Sequence, residues 1–285
     1  MHIMKKAFVV GHPIKHSRSP LIHGFWLKQH GIAGSYERID VEPVNFGRFL
    51  RNFHEQGFAG GNVTIPHKET AFAGVTRRTE RAERLKAVNT LWIENGVLWG
   101  DNTDVLGFMA NLDQSLGTGW EQAVDNVLVL GAGGAARGIV AGLQDRPMKR
   151  IVVANRTVSK AEDLVRDLER YSAVKLEALA WDELDRALPT SQLIVNTTSL
   201  GMAGQPPILI DLAKVPGNAV VSDIVYVPLK TPLLAAAEAH GLRTVDGLGM
   251  LLHQAVPGFE RWFGVRPEVT PDLRALIVAD IESAT

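Results

Sequence analysis

Two charged side chains lie where acid–base chemistry could take place. Lys68 ends the segment 62–68 (NVTIPHK), in which a strand is predicted at 62–65 and a helical stretch from residue 66. Active sites of open α/β sheets form at the carboxyl ends of strands. A lysine there could donate a proton to the alkoxide that develops when a ketone is reduced. Asp104 follows Asn102 and Thr103 just before a predicted helix, where a carboxylate also makes a good N-cap. From spacing alone, a solvated surface lysine and a helix N-cap are the more ordinary interpretations.

Hydroxyl groups and histidines cluster in the loop after the first predicted strand, residues 11–20 (GHPIKHSRSP). Ser19 before Pro20 fits a helix N-cap followed by proline at the first helical position. Ser17 has no such structural duty, so its hydroxyl is free to bind a polyhydroxy acid or its carboxylate. The histidines of these loops do not predict a metal site, because prolines interrupt them and no H-E-x-x-H pair is present. They are His12, His16, His23 and His67.

A glycine-rich turn predicts a dinucleotide site. Gly131-x-Gly133-x-x-Ala136 follows an apolar strand and opens a helix, which is the context that the dinucleotide fingerprint requires. The first glycine permits the tight turn, the second lets a pyrophosphate approach the backbone, and Ala136 keeps the helix close to the strand. The helix N-terminus then offers free amides and a positive dipole end to the phosphates. A glycine-rich turn without a ligand is the alternative.

The end of the next strand indicates which dinucleotide binds. NAD enzymes usually place an acidic residue there, about 20 residues beyond the loop, to hold the ribose hydroxyls. This chain has Asn155, Arg156 and Thr157 instead, with Lys160 close behind. A guanidinium can bind a 2′-phosphate through two hydrogen bonds, whereas an acid would repel it. The segment therefore favours NADP, with a solvated surface arginine as the alternative role for Arg156.

Alternating strand and helix patterns must position these residues. In the first third, strands are predicted at 7–10, 36–41 and 62–65, helices at 19–31 and 43–56, and an antiparallel hairpin at 88–93 and 97–99 around Asn95-Gly96. The pattern then restarts, with helices at 105–116, from the glycine loop at 131–136 to about 144, and at 159–171, and with strands at 127–130, 150–154, 193–197 and 219–224. Residues from 247 onward are predicted to be helical, with a break at Pro257. This alternation predicts the α/β class.

Composition excludes several functional classes. The 285 residues, 46% hydrophobic and 21% charged, suit a globular protein of two domains. The net charge of -1 offers no basic field for a nucleic-acid backbone. No apolar run approaches the roughly 20 residues of a membrane span, and the run before Gly11 is too short for a secretory signal. Without cysteine, disulfides and thiolate nucleophiles are excluded. We expect a cytoplasmic protein with no nucleic-acid or membrane partner.

Taken in order, these segments resemble the shikimate dehydrogenase family. Beyond residues 11–20 and 62–68, the similar segments are 87–90 (AVNT), 100–104 (GDNTD), 131–138 (GAGGAARG), 155–157 (NRT), 196–202 (NTTSLGM) and 246–250 (DGLGM), followed by Gln254. Many dehydrogenases share the glycine loop, whereas the ordered combination of serine pair, lysine motif and Asn-Thr-Asp is specific. Gly24 after His23 and His67 before Lys68 depart from the family pattern, but neither change removes a functional group.

The resemblance implies a fold and an activity. It implies an N-terminal α/β substrate domain with a mostly parallel sheet, residues 1–104, completed by C-terminal helices at 247–285 that pack back on it. Residues 105–246 would form a Rossmann-type NADP-binding domain. The implied reaction is the reversible NADPH-dependent reduction of 3-dehydroshikimate to shikimate, in the biosynthesis of chorismate and the aromatic amino acids. The alternatives are a quinate/shikimate dehydrogenase with relaxed cofactor use and a catalytically silent NADP-binding sensor. Whether the chain is a monomer or a homodimer stays open.

The resemblance also implies residue roles. Lys68 would be the proton-transfer residue, with Asp104 beside it and no metal involved. The residues that would hold the substrate are Ser17, Ser19, Thr64, Lys68, Asn89, Asp104, Tyr226 and Gln254. The pyrophosphate would lie on Gly131, Ala132, Gly133, Gly134 and Ala135, and the adenosine phosphate on Asn155, Arg156, Thr157 and Lys160. The nicotinamide side would be lined by Thr197, Ile224 and Gly247.

Overall fold

The computed structural model describes residues 5–283 and divides into two compact α/β units. The first unit runs to Asp104 and includes Leu252–Asp280, and the second comprises Val105–Leu251 and the residues from Ile281. The assignment of a substrate domain to residues 1–104 with 247–285 and of a cofactor domain to 105–246 stays a prediction.

The first unit is built on a mixed six-stranded sheet. Its strands are β1 (Lys5–Gly11), β2 (Gly34–Asp40), β3 (Phe58–Val63), β4 (Arg77–Arg78), β5 (Thr90–Glu94) and β6 (Val97–Asp101). Its helices before residue 104 are α1 (Ser19–Gln29), α2 (Pro43–Asn52), α3 (Lys68–Gly74) and α4 (Glu80–Leu85). The strand order is β2-β1-β3-β5-β6-β4. The β1/β2, β1/β3 and β4/β6 pairs are parallel, whereas β5 is antiparallel to both β3 and β6.

The antiparallel part of this sheet follows from the predicted turn. Asn95 and Gly96 both have positive φ angles, 52° and 74°. Two such residues form the turn whose twist matches a two-residue hairpin, so β5 and β6 pair directly. The predicted hairpin is therefore confirmed. Phe8 and Leu91, which are fully buried on β1 and β5, belong to the apolar core that packs beneath this sheet.

Register brings the ends of five strands to one edge of the first sheet. Gly11 pairs with Asp40, and the preceding residue of β1 pairs with Val63. Thr90 at the start of β5 pairs with both Asn62 and Asp101, and Asp101 is the last residue of β6. The loops that hold the serine pair, the lysine motif and the Asn-Thr-Asp segment all leave from this edge.

The second unit has an all-parallel sheet. Its strands are β7 (Asn126–Leu130), β8 (Arg150–Asn155), β9 (Lys175–Ala180), β10 (Leu193–Asn196), β11 (Val220–Asp223) and β12 (Arg243–Val245). Its helices are α5 (Asp104–Leu116), which begins at the last residue of the first unit, α6 (Gly134–Gln144), α7 (Val158–Leu168) and α8 (Pro232–Ala239). The order β12-β11-β10-β7-β8-β9 is that of dinucleotide-binding folds and confirms the Rossmann-type prediction.

Two helices end the chain, and one corrects a prediction. The predicted break at Pro257 is wrong, because α9 (Leu248–Phe263) continues through that proline and is followed by α10 (Pro271–Ser283). A proline removes one backbone donor and crowds the preceding turn. Phe259 and Trp262, both almost fully buried on the turns that follow, offset that cost through the apolar surface they bury. Within residues 5–283, no helix has both the length and the apolar character needed to cross a membrane.

Candidate active site

Lys68 and Asp104 form an ion pair in the first unit. Lys68 is the first residue of α3, five positions after β3 ends at Val63, so it follows the strand and begins a helix as predicted. The four-residue loop between them contains Pro66, which cannot extend the sheet. Lys68 Nζ donates to Asp104 Oδ2 at 2.5 Å. The two side chains are 30% and 26% exposed, so the pair is held in place yet open to a ligand.

Asp104 does not use its carboxylate as a helix cap. Its backbone N–H donates to the side-chain oxygen of Asn102, two residues earlier, at 3.1 Å, which forms an Asx turn just before α5. The two carboxylate oxygens of Asp104 instead accept from Lys68 Nζ and from Asn89 Nδ2, the latter at 2.9 Å. The N-cap interpretation of Asp104 is wrong, and its carboxylate belongs to the polar cluster around Lys68.

Hydrogen bonds from Thr90 and Thr103, neither of which was predicted as a site residue, fix the side-chain oxygen of Asn89. Its Oδ1 accepts from the backbone N–H of Thr103 and from the hydroxyl of Thr90, both at 2.8 Å. The Thr103 hydroxyl in turn donates to the backbone carbonyl of Gln254 on α9, at 2.8 Å. The buried Gln254 is thereby joined to the segment that ends at Asp104.

Neither serine side chain makes the contact expected of a helix N-cap at α1. Ser19 does not cap α1: the capping position is Arg18, and no side chain there makes a capping bond. Ser17 Oγ instead accepts from the Ser19 N–H at 3.4 Å, so Ser17 does have a structural contact. The Ser17 carbonyl also accepts two bonds from the Arg38 guanidinium, at 2.7 and 2.9 Å. Within residues 5–283 the Ser17 hydroxyl proton has no acceptor, so it can still be donated to a ligand.

Thr64 lies at the same edge of the sheet. Its N–H donates to the carbonyl of Val10 at 2.9 Å, and its carbonyl accepts from the His67 N–H at 2.9 Å. These bonds fold the loop between β3 and α3 back onto β1. The half-buried Thr64 side chain is thereby fixed in the loop that leads to Lys68.

Two of the clustered histidines are core residues. His67 stacks on Phe46 with ring centroids 4.3 Å apart, and its Nε2 lies 2.7 Å from the Val41 carbonyl. Burial lowers the pKa of His67 below its ordinary value. His23 is fully buried and stacks on the Tyr36 ring at 3.9 Å. Among residues 5–283, no group of three or more histidine, aspartate or glutamate side chains could hold a metal ion.

The glycine loop of the second unit has the geometry of a pyrophosphate site. Gly131 has a φ of +108°, and a Cβ atom there would lie 2.7 Å from Thr197 Oγ1, so only glycine fits. Thr197 Oγ1 donates to the Leu130 carbonyl at 2.7 Å, which joins the ends of β7 and β10 where the strand order reverses. Gly133 and Gly134 face open space, and no side chain caps α6. The free amides and dipole of α6 thus suit a phosphate group.

A cationic segment follows β8. Asn155 Nδ2 donates to the Thr157 carbonyl at 2.8 Å and fixes the turn, while the Thr157 side chain makes no capping bond to α7. Arg156 and Lys160 are exposed, and within residues 5–283 neither has an ion-pair partner. Residues 155–160 contain no acid. The segment therefore suits a phosphate on the adenosine ribose rather than bare ribose hydroxyls.

Asp223 organises the loops after β10 and β11. Its buried carboxylate accepts from Asn196 Nδ2 at 2.8 Å, from the Val225 N–H at 3.0 Å and from the Thr231 hydroxyl at 2.7 Å. Burial raises the pKa of Asp223, and these donors act in the opposite direction. Asn196 Oδ1 accepts from the Thr198 N–H at 2.9 Å. One buried carboxylate thus holds the loops that contain Thr197 and Ile224.

Gly247 and Tyr226 also lie in the second unit. A Cβ atom on Gly247 would lie 2.3 Å from the Ile224 carbonyl oxygen, so only glycine permits this close approach. Tyr226 is half-buried in the loop that follows β11. Of the predicted site residues, the structure joins Lys68, Asn89 and Asp104 by side-chain hydrogen bonds. Their partners Asn62, Thr90 and Thr103, and Asp223 in the second unit, were not predicted as site residues.

Comparisons with known proteins identify the same segments. The shikimate dehydrogenase substrate-binding domain matches residues 9–91. The family described as shikimate/quinate 5-dehydrogenase matches residues 115–214, and the shikimate 5′-dehydrogenase C-terminal domain matches residues 247–277. Every candidate site residue except Asp104, Ile224 and Tyr226 lies within one of these matches.

Similar proteins span nearly the whole chain. The NADP(+) shikimate dehydrogenase of Methylobacterium radiotolerans is 60% identical over 278 residues, which is 97% of each chain. The shikimate 5-dehydrogenase of Thermus thermophilus, solved with NADP(H) and shikimate, has a TM-score of 0.82 and 30% identity, covering 99% of this chain and 100% of that one. Quinate dehydrogenase of Corynebacterium glutamicum, solved with NAD, has a TM-score of 0.88 and 28% identity, covering 97% and 99%.

Proposed function

The chain belongs to the shikimate dehydrogenase family, and from that premise we propose that Lys68 and Asp104 carry out the proton transfer of the family's reaction. The activity of the chain is the reversible NADPH-dependent reduction of 3-dehydroshikimate to shikimate. The ion pair between Lys68 Nζ and Asp104 Oδ2, at 2.5 Å, is the observation that supports this proposal best.

Each member of the pair has a distinct task. NADPH supplies the hydride that is added to the C3 carbonyl of the substrate. Lys68 stabilises the negative charge that develops on the carbonyl oxygen and donates the proton that completes the alcohol. Asp104 holds the ammonium group of Lys68 in place and balances its charge. In shikimate oxidation, Lys68 accepts the hydroxyl proton instead.

Polar groups at the carboxyl edge of the first sheet supply the substrate contacts in this proposal. The Ser17 hydroxyl retains a proton to donate, which suits a carboxylate acceptor. Thr64, Asn89 and Gln254 would hold the ring hydroxyls, together with Ser19 and Tyr226. Since a hydrogen bond to a charged group contributes roughly 1.5–3 kcal/mol, the carboxylate contacts should dominate ground-state affinity.

NADP is the cofactor, and we assign its contacts to the second unit as a proposal. The open backbone of residues 131–135 would hold the pyrophosphate. Arg156 and Lys160, unpaired within the described residues, would hold the 2′-phosphate, with Asn155 and Thr157 shaping the turn. Thr197, Ile224 and Gly247 would line the nicotinamide side.

A quinate/shikimate dehydrogenase is the second candidate, favoured by the likeness to the quinate dehydrogenase solved with NAD. The absence of an acid among residues 155–160 argues against relaxed cofactor use, since no carboxylate there would accept from the ribose hydroxyls of NAD. The intact Lys68–Asp104 pair argues against a catalytically silent sensor. A cytoplasmic location and the choice between monomer and homodimer stay predictions, and light scattering of the purified chain tests the latter.

A spectrophotometric matrix tests the proposed function. The purified chain is assayed with shikimate against quinate, each with NADP and with NAD, at matched concentrations. We expect the highest kcat/KM with shikimate and NADP. Turnover of quinate with NAD at a comparable kcat/KM would favour the second candidate. Undetectable turnover in all four combinations would refute both enzymatic proposals.

A further inference from the structure

A series of buried hydrogen bonds leads from Tyr36 to the carboxylate of Asp104. The Tyr36 hydroxyl donates to Asn62 Oδ1 at 2.6 Å, and Asn62 Nδ2 lies 3.3 Å from Thr90 Oγ1. Thr90 Oγ1 donates to Asn89 Oδ1 at 2.8 Å, and Asn89 Nδ2 donates to Asp104 Oδ1 at 2.9 Å. Asn62, Asn89 and Thr90 are at most 5% exposed. We call these five residues the Tyr36–Asp104 chain.

The neighbours of Asn62 determine which way its amide points. Its nitrogen lies 3.1 Å from the backbone carbonyl of Asn89, a group that can only accept, so the amide nitrogen must face that carbonyl. The amide oxygen therefore faces Tyr36. Burial raises the pKa of Tyr36 well above its ordinary value, so its hydroxyl keeps its proton and donates it.

The neighbours of Asn89 fix the second amide in the same way. The backbone N–H of Thr103 can only donate, and it faces Asn89 Oδ1 at 2.8 Å. The Thr103 hydroxyl has one proton and lies 2.8 Å from the Gln254 carbonyl, which can only accept. The hydroxyl donor to Asn89 Oδ1 is therefore Thr90, and the NH₂ group of Asn89 is turned toward Asp104.

Every donor in the Tyr36–Asp104 chain thus points toward the carboxylate. We infer that Thr90 and Asn62 are positioning residues for the reaction, because they hold the Asn89 amide in the orientation that donates to Asp104. This inference rests on the proposed function, in which Asp104 holds the ammonium group of Lys68. Without the Thr90 hydroxyl, Asn89 Oδ1 keeps the Thr103 N–H and a longer contact of 3.2 Å with the Thr103 hydroxyl, whose one proton is donated to the Gln254 carbonyl. A rotated amide would turn its oxygen toward the carboxylate, and the repulsion would move Asp104 away from Lys68.

Removal of one hydroxyl tests the inference. Thr90→Val keeps the shape of the side chain and removes the donor, whereas Thr90→Ser keeps the donor. We expect Thr90→Val to lower kcat/KM for shikimate about tenfold, the value of one typical hydrogen bond, and to leave KM for NADP unchanged. Thr90→Ser should recover activity to within about threefold of the parent. The isotope effect with C3-deuterated shikimate should increase in Thr90→Val, since the chemical step becomes slower.

Ser191→Ala is the matched control for loss of a buried hydroxyl. Ser191 is 2% exposed and donates to the Ala187 carbonyl at 2.8 Å in the second unit. Its removal should lower the Tm and leave kcat/KM unchanged. If Thr90→Val lowers the Tm in the same way but keeps kcat/KM within twofold of the parent, Thr90 is merely structural and the inference is wrong. If Thr90→Val fails to fold, Tyr36→Phe tests the Tyr36–Asp104 chain instead. We expect this variant to lose at least threefold in kcat/KM, and unchanged activity would overturn the inference.

The same assays separate this inference from the proposed function. An inactive parent, or a fully active Lys68→Ala variant, would contradict the proposed function itself. An active parent with an impaired Lys68→Ala variant and an unimpaired Thr90→Val variant would refute only the positioning role of the Tyr36–Asp104 chain.

Discussion

A buried histidine should make the first unit less stable in mild acid. His23 is fully buried, and neither of its ring nitrogens has a hydrogen-bond partner within the described residues. Its ring stacks on Tyr36, with centroids 3.9 Å apart and planes 9° from parallel. Burial lowers the pKa of His23 from 6.5 to about 3, and a contact with the Asn62 side chain raises it by a smaller amount.

The size of the effect follows from the difference between the folded and unfolded pKa values. Between pH 6.5 and about 3 the unfolded chain binds one proton that the folded chain does not. The free energy of unfolding therefore falls as the pH falls, by about 1.4 kcal/mol per pH unit. The full contribution of neutral His23 is present above pH 6.5, and about 2 kcal/mol of it is lost at pH 5.

His23→Phe isolates this contribution, since phenylalanine keeps an aromatic ring against Tyr36 and cannot titrate. Urea unfolding is followed by tryptophan fluorescence at pH 8 and pH 5, with Trp26 and Trp262 close to the His23 ring, at 5.7 and 5.6 Å. The free energy of unfolding of the parent, minus that of His23→Phe, should fall by about 2 kcal/mol from pH 8 to pH 5. His30→Gln controls for loss of an imidazole, because His30 is exposed at the end of the same helix. Parallel pH profiles for the parent and His23→Phe would refute the argument.

Three further predictions concern the two candidate sites. Lys68→Ala should fold and bind NADP like the parent but lose about 10²–10⁴-fold in kcat, and turnover within threefold of the parent would contradict its role. Ser17→Ala should raise KM for shikimate through loss of roughly 1.5–3 kcal/mol, whereas Ser35→Ala, at a half-buried serine on β2, should not. An unchanged KM in both variants would remove Ser17 from the site. Arg156→Asp should lower kcat/KM with NADP by about 10–150-fold and leave or improve that with NAD. Arg186→Asp, a charge reversal elsewhere in the second unit, is its control. If Arg156→Asp leaves the ratio of kcat/KM with NADP to kcat/KM with NAD unchanged, Arg156 is an ordinary surface residue.

Most of the sheet strands could be predicted because they are apolar and buried. β7 and β10, for example, consist almost entirely of buried aliphatic residues. The pattern missed β9 and β12, which lie at opposite edges of the second sheet and are mostly exposed or half-buried. It also missed α4, a helix of six residues rich in charge. A helix break was predicted at Pro257 because a proline usually interrupts a helix. The sequence pattern around it does not show how much apolar surface α9 buries on either side of that residue.

The candidate site could be predicted in part for a similar reason. Lys68, Asp104 and Arg156 lie in short motifs whose residue types suggest chemistry without reference to the rest of the chain. Asn62 and Thr90 could not be paired from the sequence, because their contact depends on the register between β3 and β5. Polar residues at the end of a buried strand were the available signal.

The two candidate sites should respond differently to substitution, for a physical reason. A buried donor or acceptor without a partner costs roughly 1–3 kcal/mol, so the polar groups behind the Lys68–Asp104 pair must be satisfied by the protein itself. Thr90 and Asn89 meet this requirement, and their replacement should lower both activity and the free energy of unfolding. An exposed cation is solvated by water and needs no partner before a ligand binds. Substitution of Arg156 should therefore change cofactor preference and leave the free energy of unfolding of the apoprotein unchanged. A lower free energy of unfolding in the same variant would show that Arg156 also stabilises the fold.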